Sequence, residues 1–195
     1  MDYNTRAYVV GAAIGDGNLS NPNGRATRLR ISCDTKYPAL MVKIRDAVQS
    51  VMPENKVAVQ FRSSSNCADI SCYSNQWEEV LGWHVGQGSK YIQNVRIPEW
   101  IRENREYTIH CLRGLIETDG CLYNDRGYEM VMFTTIISDL AKDACEMIQM
   151  LGFNLRLYKI ERKTNPYNFN QKIICHVRLS KNVQEFLDLV QPIKN

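Results

Sequence analysis

Two stretches decide the fold of this chain: Val9-Val10-Gly11-Ala12-Ala13-Ile14-Gly15-Asp16-Gly17 and Leu112-Arg113-Gly114-Leu115-Ile116-Glu117-Thr118-Asp119-Gly120. Both are apolar helical runs that contain a glycine and close with Asp-Gly. Residues four apart share one helix face, and here that face is mostly small: Ala7, Gly11 and Gly15, then His110, Gly114 and Thr118. Such a stripe lets two helix backbones approach closely. We therefore predict that the two helices pack together and bring Asp16 and Asp119 together at their C-terminal ends.

The paired aspartates predict a cation site. The C-terminal end of a helix carries partial negative charge, and two neighbouring carboxylates repel each other. A divalent cation would relieve both effects, and Mg²⁺ prefers oxygen ligands. The backbone carbonyls of Gly15 and Thr118 are further candidate ligands. A single Asp-Gly is also a common helix end or hairpin turn, but its repetition favours the metal site.

The rest of the chain indicates a duplication. Strict alternation over 27–33 predicts a half-buried strand, and apolar spacing over 38–51 predicts a helix. Extended along the chain, these patterns predict the order helix, two strands, helix, two strands, helix, and then the same order again. We place the start of the first helix at Thr5, which is a plausible N-cap.

Corresponding landmarks in the two halves are separated by nearly constant distances. Asp16 and Asp119 lie 103 residues apart, and Ser74 and Ser180, each followed by a short helix, lie 106 apart. Each half would expose an apolar motif helix that only the other half can cover, as in a symmetric dimer. We therefore expect one monomeric chain of two repeats, residues 1–97 and 98–195.

On these motifs the sequence resembles the LAGLIDADG homing endonucleases in their single-chain, two-repeat form. The resemblance implies an α+β fold of two pseudo-symmetric αββαββα repeats, packed through the motif helices, with antiparallel sheets forming a DNA-binding saddle. It also implies that Asp16 and Asp119 bind Mg²⁺ or another divalent cation and catalyse phosphodiester hydrolysis.

Two lysines occupy matching places after the aspartates. Lys90 lies 74 residues after Asp16, and Lys194 lies 75 after Asp119. Since a basic residue often stands near each metal carboxylate in the resembled family, both lysines are candidate catalytic residues. The alternative is that each is a solvated lysine after a helix.

The sequence departs from the family pattern after the 27–33 strand. Many members carry Gln-Lys there, whereas this chain has Cys33-Asp34, and we align Thr134-Thr135 with that place in the second copy. Lys36 is the nearest basic side chain that could substitute for the missing one.

The predicted strands carry side chains suited to DNA. Arg, Lys and Gln hydrogen-bond to base edges in the major groove and to phosphates, and a two-stranded ribbon fits that groove. An ordinary charged solvent face is the alternative. The candidate DNA-binding residues are Arg28, Arg30, Gln60, Arg62, Arg156, Tyr158, Lys159, Arg162, Lys172, His176 and Arg178.

Composition excludes several other classes of protein. The 195 residues are 44% hydrophobic and 23% charged, which is ordinary for a globular protein, and no apolar run approaches the ~20 residues that span a bilayer. The seven cysteines include no CxxC pair, which argues against zinc and favours a reducing compartment. The N-terminus lacks a signal-peptide pattern. We expect an intracellular protein, in the cytoplasm or an organelle matrix.

The leading hypothesis is a sequence-specific double-strand DNA endonuclease that cuts a long asymmetric site. A maturase that binds intron RNA is one alternative, because the resembled fold has also been adapted to RNA splicing. A non-cleaving DNA-binding protein is the other. Retention of both aspartates favours cleavage, whereas Cys33-Asp34 favours a binding protein.

Overall fold

The computed structural model describes residues 2–161 and 172–193. The predicted order of elements is present twice in this part of the chain. The first repeat contains α1 (Tyr3–Asp16), β1 (Gly17–Ser20), β2 (Arg28–Asp34), α2 (Pro38–Val51), β3 (Val57–Phe61), β4 (Cys67–Tyr73) and α3 (Trp77–Leu81). The second half opens with a short helix, α4 (Glu99–Arg102). It continues with α5 (Arg105–Asp119), β5 (Gly120–Asp125), β6 (Tyr128–Thr135), α6 (Ser138–Met150), β7 (Leu155–Ile160), β8 (Ile174–Leu179) and α7 (Val183–Val190).

Each repeat folds its four strands into one antiparallel sheet. The strand orders are β1-β2-β4-β3 and β5-β6-β8-β7, so the two topologies are identical. Alternate residues of the central strands are buried, for example Leu29, Ile31 and Cys33 on β2. The predicted α+β fold of two αββαββα repeats is therefore confirmed.

The prediction that Thr5 caps the first helix is wrong. The N-cap is Asp2, whose side chain accepts hydrogen bonds from the backbone N–H groups of Asn4 at 3.1 Å and Thr5 at 3.0 Å. Thr5 instead donates its hydroxyl to the Asp2 carboxylate. A short polar side chain at either position satisfies the sequence rule for a helix start, and only the backbone conformation selects between them.

The motif helices α1 and α5 pack directly against each other at their glycines. A Cβ atom on Gly11 would overlap the carbonyl oxygen of Cys111, and one on Gly114 would overlap that of Tyr8 and lie 2.7 Å from the backbone nitrogen of Ala12. The backbones are thus too close for any side chain at either glycine. This contact joins the two repeats into one core.

The end of the segment between α3 and α4 packs on α6 of the second repeat. Arg96 forms an ion pair with Asp143 of α6, a fully buried carboxylate. The backbone N–H of Ile97 donates to the same carboxylate at 3.0 Å. A buried carboxylate needs such donors to offset its lost hydration. The repeat boundary at 97/98 itself stays a prediction.

Two further features of the described chain bear on its class. None of the helices within residues 2–161 and 172–193 has the length and hydropathy needed to cross a membrane. The seven cysteines, all within the described residues, form no disulfide bond, and five of them are buried.

We predict that Gly114→Ala destabilises the protein by about 1–3 kcal/mol, because the added methyl group forces two backbones apart. Urea unfolding of the full chain measures the change. Arg105→Ala, at an exposed position of the same helix, should change the free energy of unfolding by less than about 0.5 kcal/mol. Equal stability of Gly114→Ala and wild type would contradict the close packing of α1 and α5.

Candidate metal centre and nucleic-acid interface

The structure brings the two motif aspartates to adjacent helix ends. Asp16 is the last residue of α1 and Asp119 the last of α5, and both are exposed. A Cβ atom on Gly15 would lie 3.4 Å from the carboxyl carbon of Asp119, so this carboxylate sits beside the residue that precedes Asp16. Two exposed carboxylates therefore share one surface at the C-terminal ends of the paired helices.

A separate pocket lies beside each aspartate. The pocket at Asp16 is mostly polar, and the pocket at Asp119 combines two lysines with several apolar side chains. The first is lined by Asp16, Ser32, Cys33, Asp34, Lys36, Tyr37, Leu40, Glu117 and Thr118. The second is lined by Ile14, Gly15, Ser89, Lys90, Tyr91, Asp119, Thr134, Thr135, Ile136, Ile137, Leu140, Lys172 and Ile174.

Lys90 reaches from the segment between α3 and α4 to the end of α1. Its Nζ donates to the carbonyl oxygens of Ala13 at 3.2 Å, Ile14 at 2.5 Å and Gly15 at 2.6 Å. Burial lowers the pKa of Lys90, while the charges of Asp119 and Asp16 act in the opposite direction. A positive charge is therefore built into the helix end, where the dipole and the aspartates both favour it.

Lys90 contacts one of the two backbone carbonyls that are candidate metal ligands, that of Gly15. The Gly15 carbonyl already accepts a hydrogen bond from Lys90, although a carbonyl oxygen has a second lone pair. Thr118 is buried, and its hydroxyl donates to the carbonyl of Gly114 at 2.9 Å. Metal coordination by the backbone of Gly15 and Thr118 stays a prediction. Lys194 lies outside the described residues.

Glu117, the third-last residue of α5, forms an internal ion pair with Lys43. Only 1% of its surface is exposed. Its carboxylate accepts from the Tyr8 hydroxyl at 2.7 Å, from Lys43 Nζ at 2.6 Å and from the backbone N–H of Ile193 at 2.7 Å. Burial raises the pKa of Tyr8, and the charge of Glu117 raises it further. This cluster connects α1, α2, α5 and the C-terminal segment.

The donor set fits a hard cation that keeps much of its water. Among the described residues, no group of three or more His, Cys, Asp or Glu side chains can hold a metal ion. Asp16 and Asp119 offer carboxylate oxygens on an open surface, and Mg²⁺ is usually bound through one or two carboxylates with the remaining ligands from water and substrate phosphate.

The first sheet places its candidate DNA-binding residues on one face. Arg28 and Arg30 alternate with the buried residues of β2, and Gln60 shares their face because it pairs with Asp69, which also pairs with Ser32. Arg62 makes two hydrogen bonds to Asp69, at 2.6 and 2.9 Å. Sequence reasoning missed Asp69, which holds this arginine in place.

The second sheet presents a comparable but less basic face. Arg156, Tyr158, His176 and Arg178 share it by register, and Arg178 pairs with Asp125 at 2.9 Å. Lys159 projects from the opposite face, because it pairs with the buried residue Cys175. Lys172 lies over the ring of Tyr91 at 4.0 Å, in the pocket of Asp119. Arg162 falls outside the described residues.

The alignment of Thr134-Thr135 with Cys33-Asp34 is wrong by one residue. Gly17 pairs with Ile31 and Gly120 pairs with Phe133, so Cys33 corresponds to Thr135 and Asp34 to Ile136. Lys36 does line the pocket of Asp16, where it forms an ion pair with Asp34 at 3.2 Å.

Comparison with known proteins identifies the fold. A family model described as LAGLIDADG-like domain matches residues 106–191. A crystal structure of I-DmoI in complex with DNA and Mn has a TM-score of 0.64 and 15% identity, and the match covers 96% of each chain. Another I-DmoI structure is in complex with DNA and Ca, and that of an I-DmoI variant contains its target DNA in the presence of Mg. No curated protein matches the sequence.

A second group of similar structures belongs to the DUF199/WhiA proteins. The N-terminal LAGLIDADG domain of DUF199/WhiA has a TM-score of 0.63 and 14% identity, with 96% of this chain and 82% of that one covered. Full-length DUF199/WhiA from Thermatoga maritima has a TM-score of 0.62 and 11% identity, and the match covers 96% of this chain and 55% of that chain. The chain therefore has the two-repeat LAGLIDADG fold, with a LAGLIDADG-like domain in its second half.

We predict that Glu117→Ala lowers the free energy of unfolding by about 3 kcal/mol, because it leaves the charge of Lys43 and the hydroxyl of Tyr8 without their acceptor. Urea unfolding measures the loss. Glu106→Ala, an exposed carboxylate of the same helix, should cost at most about 1 kcal/mol. Equal losses of unfolding free energy in the two variants would show that the contacts of Glu117 with Tyr8 and Lys43 do not stabilise the fold.

We also predict that Lys90→Met destabilises the fold by about 1–3 kcal/mol, because three carbonyls at the end of α1 lose a charged donor. The exposed Lys56→Met serves as the control in the same unfolding experiment. If both variants unfold at the wild-type denaturant midpoint, Lys90 does not stabilise the end of α1.

Proposed function

We propose that this protein is a sequence-specific, metal-dependent DNA endonuclease that makes a double-strand break. The observation that carries the proposal is the position of Asp16 and Asp119 on adjacent helix ends, exposed on one surface. Two carboxylates in this position serve no packing purpose, since neither is buried. Ligation of a cation above the helix ends is the role that best accounts for them.

The chain's own residues supply binding and electrostatic stabilisation. Asp16 and Asp119 would hold Mg²⁺ or another divalent cation, which when bound activates water and neutralises a leaving oxygen. Lys36 and Lys90, one in each pocket, would stabilise the charge that develops on the phosphate. The pseudo-twofold arrangement provides one such pocket for each DNA strand.

Recognition of the DNA would fall to the two sheets. Arg28, Arg30 and Gln60 on the first sheet, with Arg156 and His176 on the second, offer the hydrogen-bonding groups that read base edges. Because the two sheets carry different side chains, the two half-sites would differ in sequence and the whole site would be asymmetric. The I-DmoI structures with bound DNA have the same fold, which supports this mode of binding.

A non-cleaving DNA-binding protein is the second candidate. Lys36 is already paired with Asp34, which reduces the positive charge available beside Asp16. The DUF199/WhiA proteins share the fold, and their name states no nuclease activity. We further propose that the protein acts as an intracellular monomer with repeats at 1–97 and 98–195, since each repeat already covers the apolar helix of the other.

We predict that the protein cuts both strands of its target duplex in Mg²⁺ and neither strand in EDTA. The test substrate is the gene whose sequence flanks the reading frame of this protein, in its uninterrupted form. Asp16→Asn or Asp119→Asn should slow cutting by more than about a hundredfold. Loss of a group that only orients a metal ligand already lowers metal affinity or activity by about 10–100-fold, and these aspartates are the proposed ligands themselves.

A matched control is Asp46→Asn, an exposed carboxylate on α2 that lies away from the two helix ends. It should cut at the wild-type rate. Binding of the duplex without cutting, in Mg²⁺ and in EDTA alike, would favour the non-cleaving protein. Undiminished cutting by both asparagine variants would rule out the proposed centre.

A further inference from the structure

The two sheets differ in a row of side chains that begins in the pocket beside each aspartate. Strand register defines equivalent positions, because Gly17 pairs with Ile31 in one sheet and Gly120 pairs with Phe133 in the other. Three residues further along, Asp34 in the first repeat corresponds to Ile136 in the second.

The same register relates the other two members of the row. Ile31 pairs with Ile70 and Phe133 with Val177, and these two partners in turn pair with Val59 and Leu157 on the edge strands. The first repeat therefore carries Asp34, Cys67 and Arg62 in this row. The second repeat carries Ile136, Ile174 and Ile160 at the equivalent positions.

The three isoleucines form an apolar row that is open to solvent in part. Ile136 is 37% exposed and Ile160 is 46% exposed, while Ile174, which pairs directly with Ile160, is half-buried. Ile174 and Ile160 share a sheet face with Arg156, Tyr158 and His176 by register. Ile136 follows the end of β6 and lines the same pocket as Ile174. Three adjacent β-branched apolar side chains on the outer face of a sheet are not needed for its core.

The surroundings of the row are cationic. Ile136 and Ile174 line the pocket of Asp119 together with Lys90 and Lys172. Arg156 and Arg178 lie opposite each other on adjacent strands of the same face, and Arg178 also forms an ion pair with Asp125. A partner that fits must carry negative charge around a small apolar feature. Duplex DNA combines phosphates with thymine 5-methyl groups, which are the apolar contact that the major groove offers.

We propose that Ile136, Ile174 and Ile160 select thymine in the half-site bound by the second repeat, close to the point of cleavage, by contacting its 5-methyl group. The proposal rests on the proposed DNA binding. Cytosine carries only a hydrogen where thymine carries its 5-methyl group, so the row loses this apolar contact when cytosine replaces thymine. The symmetry-equivalent base pair in the other half-site lies against Arg62 and Asp34, so no preference for thymine is expected there.

The first experiment selects duplexes from a randomised pool with the full chain, using Ca²⁺ in place of Mg²⁺. Thymine should be enriched at one or more positions near the centre of one half-site. Selection with Ile160→Arg, which introduces the residue type of the first repeat, should lose thymine in that half-site alone. This response also identifies the half-site that the second repeat binds.

The second experiment replaces thymine by uracil in each half-site of a selected duplex. This change removes only methyl groups, so the affinity should fall about fourfold for each methyl that contacts the row. The other half-site should tolerate uracil without loss. Ile160→Thr and Ile136→Thr should each weaken the discrimination, and thermal unfolding confirms that they fold.

Val59→Thr is the matched control, since Val59 is a 36%-exposed residue of the first edge strand on the opposite sheet face. It should retain full sensitivity to uracil. Two outcomes would overturn this proposal: equal affinity for thymine and uracil in both half-sites, or a selected site without thymine. Either outcome leaves the proposed function intact. Failure to bind any duplex overturns both.

Discussion

The contact between α1 and α5 at Gly11 and Gly114 is the constraint on which the rest of the structure depends. Neither glycine has room for a Cβ atom, because each faces a backbone carbonyl of the other helix. Because the two helices are this close, their C-terminal ends lie side by side. The sheet that follows each helix is positioned by that helix end. The same contact places residues that are 103 apart in the chain on one surface.

Negative charge at the helix ends is handled in two different ways. Glu117 is buried and receives three donors, one of them from Lys43 of the other repeat. Asp16 and Asp119 stay exposed, and Lys90 places a cation on the neighbouring carbonyls. A buried carboxylate without donors would be costly, whereas an exposed one can bind a ligand. This difference separates the structural carboxylate from the candidate functional ones.

The two repeats share a backbone topology but differ in the side chains of their outer sheet faces. Their sheets have the same strand order. The equivalent row nevertheless contains Asp34, Cys67 and Arg62 in the first repeat and three isoleucines in the second. A homodimer would present two identical faces to DNA. A single chain with two repeats can vary each face separately, and this one has done so.

The sequence by itself determined the two-repeat α+β fold and the meeting of the motif helices, because small residues four apart and alternating strands are local patterns. The exposed face of Arg28 and Arg30 followed from the same alternation. Only the tertiary structure decided that Lys90 binds the carbonyl end of α1 and that Glu117 is buried. It also decided that Lys159 points away from the proposed DNA face and that Ile136 is the equivalent of Asp34 in the second repeat. Each of these depends on register or on contacts between distant segments, and neither is encoded in the spacing of nearby residues.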